Sequence, residues 1–365
     1  MRAGYLWLFS FLVYPIVGAP LLKARAFRVF GLPTRAVLSG GVGMVLVSWT
    51  MTVFALFRLR WGPILVLVAA AVAFALRLLL REDEGSPPLS SGEARGEGAE
   101  RAITLLAHLL TALSLLTALA ATVSGRWTSP DLLFFWGPKA QQFAAARTID
   151  ADFLREPFLQ YLHVYYPPLV TNTWAFGAMV AGRFPWGAAT LTFPLLLAAT
   201  SIGLLGILKT ASVSAPAAAT TALVTSALAL AGIHASVAGN GESSLLFFEI
   251  LAMALLMTPV SATAGGKLLA GLFLAGVATA KVEGLPFIFA TAGLFVLLSR
   301  ERFRTAVRTL LLLLGPAVIA LGAWFAFGEL RHLFRGYRGY GKVLAVRWEN
   351  LGLIAAAVGA ALGKV

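Results

Sequence analysis

The sequence predicts an all-α fold: a polytopic transmembrane helix bundle with one long extracytoplasmic loop that contains juxtamembrane helices. Three observations carry that expectation. Apolar residues make up 59% of the 365 and charged residues 12%, against roughly 45–50% and 25% in a soluble domain. Mean hydropathy is +0.84. Runs of about twenty apolar residues recur along the chain, the length that carries a helix across a ~30 Å hydrocarbon core. The chain has no cysteine, which excludes disulfides and thiolate metal sites. Its formal net charge of +13, from 29 Lys and Arg against 16 Asp and Glu, reads as positive loops facing anionic headgroups. The basic residues are scattered among apolar spans, so nucleic acid is a poor fit as partner and the lipid bilayer a good one.

Taken in order, spans are expected at 4–22, 37–57 and 62–80 in an N-terminal unit, residues 1–80. The first has no basic region before it and no small-residue cleavage site, so it reads as a retained helix. The segment "REDEGSPPLSSGEARGEGAER", Arg81 to Arg101, is polar and rich in Gly, Ser and Pro, and residues 81–102 read as a cytoplasmic linker. A core over 103–300 then holds spans at 103–124, 188–208, 216–237, 244–260, 268–282 and 284–299. Residues 301–365 add spans at 305–327 and 349–363 around a basic outer loop at 328–348. No internal repeat stands out, which weighs against transporters built from inverted repeats.

Orientation turns on Tyr166 to Gly182, "YPPLVTNTWAFGAMVAG". It is short, begins at two prolines and carries Thr171, Asn172 and Thr173. If it does not cross, the loops bearing Lys23, Arg25, Arg28 and Arg35, then Arg77, Arg81, Arg95 and Arg101, then Arg300, Arg302, Arg304 and Arg308 share one side. That side is cytoplasmic by the positive-inside bias. The expectation is therefore a helix lying in the outer interface, within an outer loop spanning 125–187. Four of the nine tryptophans fall in that loop (Trp127, Trp136, Trp174, Trp186), as suits interfacial anchoring. Pro138 sits at a plausible first helical turn, with Ala140, Phe143 and Ala144 on one face.

Asp131 leads the residues that carry chemistry, at the head of the outer loop; its structural alternative is a helix start in Ser129-Pro130-Asp131. Glu242, in "GNGESS", falls on the same face, and it too has a helix-start reading. Two carboxylates on one face can act as base and partner, or jointly hold a divalent cation. Lys281 and Glu283, in "TAKVEGLP", also come out on the outer side, where a mutual ion pair would account for both. Glu249, seven residues after Glu242, shares its helix face, with a hydrogen bond inside the bundle as the plainer role. His163, Tyr165 and Tyr166 precede Pro167-Pro168; one His makes no metal site, and hydrogen bonding is the default. His108 and His234 carry no functional argument. The stretch Arg331 to Arg347 holds five Lys or Arg and two Tyr, yet falls outside against the positive-inside bias. Arg forks beside glycines suit a phosphate or pyrophosphate; a parity error in counting spans is the alternative.

These residues together resemble the GT-C superfamily of membrane glycosyltransferases. The resemblance lies in "D-x-x-x-F-W-x-x-K-A" from Asp131 to Ala140, "YPPL" from Tyr166 to Leu169, an acid after the next two spans, and "K-x-E-G" from Lys281 to Gly284. It covers about residues 103–300 and is nearest to the bacterial branch similar to dolichyl-phosphate-mannose protein mannosyltransferases and aminoarabinose-lipid A transferases. It implies a sugar donor carried on a polyprenyl phosphate, used at the outer face of the cytoplasmic membrane, with a lipid, glycan or protein acceptor. It implies Asp131 at the reaction centre with Glu242 as the second acid, where the family often has an Asp in a "Y-A-D" setting. Lys139 and Lys281 match basic positions that could meet the donor phosphate; Tyr166, Glu283, Arg335 and Arg338 complete the expected substrate contacts. A transporter or flippase of lipids or sugar-lipids is the competing class; it should show charged residues through the midplane, where Glu249 is the clear candidate.

If the basic loop binds the donor phosphate, replacing Arg335 and Arg338 with Gln weakens donor use more than acceptor use. A charge-assisted contact contributes about 1.5–3 kcal/mol, or roughly ten- to a hundred-fold in apparent affinity. Donor kinetics measured beside protease access to the loop check this. Unchanged donor kinetics with access from the cytoplasm would refute it.

Overall fold

The computed structural model describes residues 2–80, 98–125, 129–156, 163–231, 241–299 and 303–334. Every regular element among them is helical. The N-terminal unit is α1 (Arg2–Ser10), α2 (Val13–Leu22), α3 (Leu32–Leu56) and α4 (Ile64–Leu79). A long peripheral helix, α5 (Gly98–Val123), follows. Four short helices come next: α6 (Gly137–Ala146), α7 (Ala151–Arg155), α8 (Leu169–Ala181) and α9 (Trp186–Ala189). The remainder is α10 (Thr192–Thr210), α11 (Ala215–Ala231), α12 (Glu242–Leu256), α13 (Ala264–Ala280), α14 (Gly284–Ser299) and α15 (Phe303–Leu330).

Five stretches are long and apolar enough to cross a membrane: Arg2–Leu22, Leu32–Leu56, Gly98–Val123, Trp186–Thr210 and Phe303–Leu330. The outer surface suits hydrocarbon. On α5, Ile103, Leu105, Leu106, Leu109, Leu113 and Leu116 are all exposed, an apolar patch larger than soluble proteins tolerate. Inside, α13 is the most enclosed helix, with α8 and α3 next. Helix α13 is built from small residues, Gly265, Gly266, Ala270, Gly271, Ala275, Gly276 and Ala278, so α12 and α15 can approach its backbone closely. Close backbone approach through small residues is what holds helices together in lipid, where apolar burial alone gives no advantage over the surrounding tails. The α2–α3 pair uses the same device. A Cβ on Gly43 would sit 2.0 Å from the Tyr14 carbonyl oxygen, and one on Gly18 would sit 2.0 Å from that of Ser39.

The bundle has two distinguishable ends. At one, Gly206 of α10 meets Thr34 of α3, Gly265 of α13 meets Phe27 and Leu80, and Lys267 donates to Thr309 Oγ1 at 2.7 Å. Lys23, Arg25, Arg28, Arg35, Arg77, Arg101, Lys209, Arg304 and Arg308 belong to this end. Glu100 is its sole acid among the described residues. At the other end, Trp61 N–H donates to the Arg147 carbonyl at 2.7 Å, Arg331 donates to that of Ala55 at 3.2 Å, and Trp324 Nε1 donates to that of Tyr165 at 3.2 Å. The end of α15 therefore lies beside Tyr165, and Arg331, the first residue of the basic stretch, is at the same end of the bundle as Tyr165.

Several boundaries differ from expectation. Gly98–Arg101 form the first turn of α5 rather than closing a linker. The first span is broken between Ser10 and Val13, and α3 starts at Leu32. The expected interfacial helix is α8, only thirteen residues long, and it does not lie exposed at a surface: Leu169 to Ala178 are all buried. Its polar residues turn inward. Asn172 Nδ2 lies 3.1 Å from the Ser48 carbonyl and 3.2 Å from Thr52 Oγ1, and Tyr14 donates to the Thr173 carbonyl at 3.1 Å. An amphipathic pattern and an internal hydrogen-bonding pattern look alike in sequence when both place polar residues among apolar ones. The span at 349–363, most of the linker, Trp127, His234, Arg335 and Arg338 lie outside the described residues.

Gly43→Ala is expected to lower the thermal midpoint in detergent, by the equivalent of about 1–3 kcal/mol of overpacking. Gly315→Ala, where nothing lies within 4 Å of the new Cβ, is expected to leave the midpoint unchanged or raise it slightly. Equal effects at both positions would count against the packing role given to Gly43.

Candidate functional site

The site begins with a helix start that does not use its acid. Ser129 takes the capping role: its Oγ accepts from Asp131 N–H at 3.1 Å, and its carbonyl accepts from Leu132 N–H. The Asp131 side chain caps nothing. It has no hydrogen bond or salt bridge among the described residues, and it is partly buried. Its structural alternative is thereby removed, and a free carboxylate is left at the mouth of the cluster.

Leu132–Trp136 form one wide π-helical turn, closed by Gly137 N–H on the Leu132 carbonyl. Such turns are rare and concentrate at functional sites. Gly137 is required there, because a Cβ would come within 2.3 Å of both the Leu132 oxygen and the Trp186 ring. The turn rotates Phe135 and Trp136 inward and carries Lys139, two residues into α6, beneath them. The Lys139 side chain is 3% exposed, with Nζ 3.8 Å from the Phe135 ring centre and 4.7 Å from that of Trp136. It has no hydrogen bond or ion pair among the described residues. Burial holds its amine well below the ordinary lysine range. Helix α6 is fixed from behind by Phe143 against Trp61, whose Nε1 donates to the Met51 carbonyl at 2.9 Å.

The second group comes from two helix ends. Glu242 is the first residue of α12, and Lys281 stands extended where α13 stops, with Glu283 just before α14. Lys281 pairs with Glu242 Oε1. Glu283 instead accepts from Tyr166 Oη at 2.5 Å, so the expected Lys281–Glu283 pair is not formed; each residue has a partner from elsewhere in the chain. Glu242 Oε2 and Trp136 Nε1 are both buried without a hydrogen-bond partner.

Between the groups lies an aromatic cluster. Tyr166 is 5.4 Å from Phe135, 5.8 Å from Trp136 and 5.4 Å from His163 in ring centres, and Lys281 Nζ is 5.8 Å from the Tyr166 ring. His163 Nδ1 lies 2.8 Å from Tyr165 Oη. Electrostatics tie these residues into one site. Burial and the nearby Glu242 raise the proton affinity of Asp131, while Lys281 and His163 oppose the rise. Burial, then Lys139, pulls the His163 ring below its ordinary range and favours the neutral form. Burial and the Glu283 carboxylate keep the Tyr166 phenol protonated, so it serves as a donor.

The structure thus brings Asp131, Glu242, Lys139, Tyr166, Lys281 and Glu283 together, from segments up to 152 residues apart by numbering (283 less 131). Arg335 and Arg338 lie outside the described residues. Sequence reasoning gave His163 no role and did not anticipate the aromatic floor; the adjacent "FFW" and "HVYY" runs were the available signal. Glu249 is half-buried on α12 with no partner among the described residues, so the expected bundle hydrogen bond is not seen. Lys281 takes one oxygen of Glu242, and no group of three His, Asp or Glu that could hold a metal is found among the described residues.

No family model, no curated protein and no solved structure matches this chain. What defines it is a helical bundle with five stretches able to cross a membrane and one cluster of acids, lysines and aromatics at the end opposite its basic loops.

The coupling has a sign that can be checked. Lys281→Met removes the nearest opposing cation, so the Asp131 carboxyl should hold its proton to higher pH. Glu242→Gln removes a repelling charge and should move the titration to lower pH. Infrared titration of the carboxylic-acid stretch, assigned by its loss in Asp131→Asn, measures both; shifts in the same direction would refute the arrangement.

Proposed function

We propose that this protein is a membrane glycosyltransferase of GT-C type, which moves a sugar from a polyprenyl-phosphate donor to a hydroxyl of a lipid, glycan or protein acceptor. The observation that carries the reading is the unpaired Asp131 carboxylate beside the Lys281–Glu242 pair. Asp131 takes the proton of the acceptor hydroxyl, whose oxygen attacks the anomeric carbon as the bond to the phosphate oxygen breaks. The polyprenyl phosphate departs with the bonding electrons, and cations nearby stabilise it. Its raised proton affinity suits Asp131 to this step, since a stronger base accepts a hydroxyl proton more readily. A single in-line displacement inverts the anomeric centre. No nucleotide pocket is needed, because a polyprenyl phosphate is already a good leaving group.

The partition of charge supports an outward site. Ten Lys and Arg named above stand at the opposite end with one acid among the described residues, and such an end favours the cytoplasm. The transporter reading draws less support. Among the described residues Glu249 alone carries charge in the middle of a span, whereas carriage of a polar headgroup calls for a series of such groups.

Asp131→Asn is expected to cut sugar transfer by at least about a hundred-fold while membrane insertion and thermal midpoint stay near the parent values. Transfer of radiolabelled sugar from a polyprenyl-phosphate donor in proteoliposomes measures the first, and fluorescence-detected size exclusion the second. Near-normal turnover by folded Asp131→Asn would sink the assignment.

A further inference from the structure

The Lys281–Glu242 contact is unequal in a way that the catalytic reading does not use. The Lys281 side chain is 11% exposed and that of Glu242 is 41% exposed. The lysine stem is confined: a Cβ on Gly241 would touch its Cδ at 3.3 Å, and the Tyr166 ring covers its ammonium at 5.8 Å. The acid is held differently. Its stem is open, its carboxylate turns inward onto Lys281 through Oε1, and Oε2 is buried with no partner. Of the two, the more exposed Glu242 side chain has the room to turn toward solvent that the confined Lys281 lacks.

Acids stand around Lys281, with Glu242 on it, Asp131 within its field and Glu283 held away by Tyr166, and unused donors lie beside it. Trp136 lies across Gly241 from it, its Cζ2 3.0 Å from where a Gly241 Cβ would stand, and its Nε1 is an unsatisfied buried donor. Lys139, beneath the same ring, is buried with only aromatic faces for company. Burial favours the neutral amine there, so Lys139 is a donor without a partner among the described residues.

We propose that the Glu242 carboxylate holds the place on Lys281 that a ligand's phosphodiester takes, so that binding exchanges one anion for another. The proposal rests on the glycosyltransferase reading for the identity of the ligand, a singly charged phosphodiester on an isoprenoid, and on the geometry above for the exchange. The consequence falls on Asp131. The charged and titratable groups around it are Glu242 from α12, Lys281 from the α13 end and His163 before α8, with Lys139 from α6, Glu283 before α14 and the Tyr166 phenol beyond them. In the unliganded pair, Lys281 offsets the repulsion between Glu242 and Asp131. A phosphodiester that takes over Lys281 leaves Glu242 uncompensated, and the proton affinity of Asp131 rises. Donor binding thus strengthens the base that the reaction needs.

The test measures binding, not turnover. Farnesyl methyl phosphodiester, which has no titratable proton near neutrality, is titrated by calorimetry into the full chain in nanodiscs, in two buffers of different ionisation enthalpy. The parent protein is expected to take up protons on binding, and Asp131→Asn to lose that uptake. Glu242→Gln, which removes the internal competitor, is expected to bind about ten- to a hundred-fold more tightly with reduced uptake. Lys281→Met is expected to bind weakly, and the double variant to bind no more tightly than Lys281→Met alone. If Glu242→Gln binds no better than the parent, or the parent takes up no protons, the exchange is overturned while phosphodiester recognition stands. If the parent does not bind the probe, both the exchange and the donor class of the proposed function fall. Should Glu242→Gln not fold, Glu242→Asp supplies the same test: a carboxylate one methylene shorter reaches Lys281 less well and should also tighten binding.

Discussion

A lysine that ends an enclosed helix must find an anion, and the site is organised by where that anion comes from. Lys281 stands at the stop of α13, whose residues from Leu269 to Ala280 are all buried. Its own neighbour, Glu283, is turned away to Tyr166. The compensating charge arrives instead from the first turn of α12, a different helix, through Glu242. That one contact fixes the α12 start against the α13–α14 break. It also sets Gly241 under Trp136, and Trp136 closes the wide turn that follows Asp131. Breaking it would leave a largely buried ammonium unpaired, the costly half of any buried ion pair.

The aromatic floor makes these charges matter. Phe135, Trp136, Tyr166 and His163 pack between two acids and two lysines, with Phe135 and Trp136 buried. Lower local polarity lets each charge act on the next over longer distances than it could in water. Asp131 is affected by Glu242, Lys281 and His163, and His163 in turn by Lys139. The site therefore responds as a unit: adding or removing a single anion changes the proton affinity of a group it does not touch.

The same economy of charge operates at the scale of the whole bundle. One end carries bases with a single acid, the other carries acids and bases together, and the length between is nearly uncharged among the described residues. In hydrocarbon, helices gain little from burying apolar surface, and small residues that allow backbones to meet do the holding. Gly18 and Gly43 between α2 and α3, and the Gly-Ala face of α13, are those positions. They keep the helix ends in register, so that three widely separated segments deliver Asp131, Glu242 and Lys281 to one place.

Composition and periodicity by themselves determined the helical class, the apolar spans near α3, α4, α5, α10 and α14, and the short list of residues able to do chemistry. Those features are local: a run of about twenty apolar residues is readable without knowing what it packs against. Partnerships were not local. Lys281 and Glu283 sit two residues apart and looked like each other's partners, yet the helix break sends them to Glu242 and Tyr166. Ser129 and Asp131 both looked like helix caps, and only the tertiary placement gave the cap to Ser129 and left Asp131 free. The polar residues of α8 read as a surface until Ser48, Thr52 and Tyr14 were found bonded to them. Which polar group meets which is decided by contacts between segments far apart in the chain, and a hydrogen bond leaves no mark in the sequence of either partner alone.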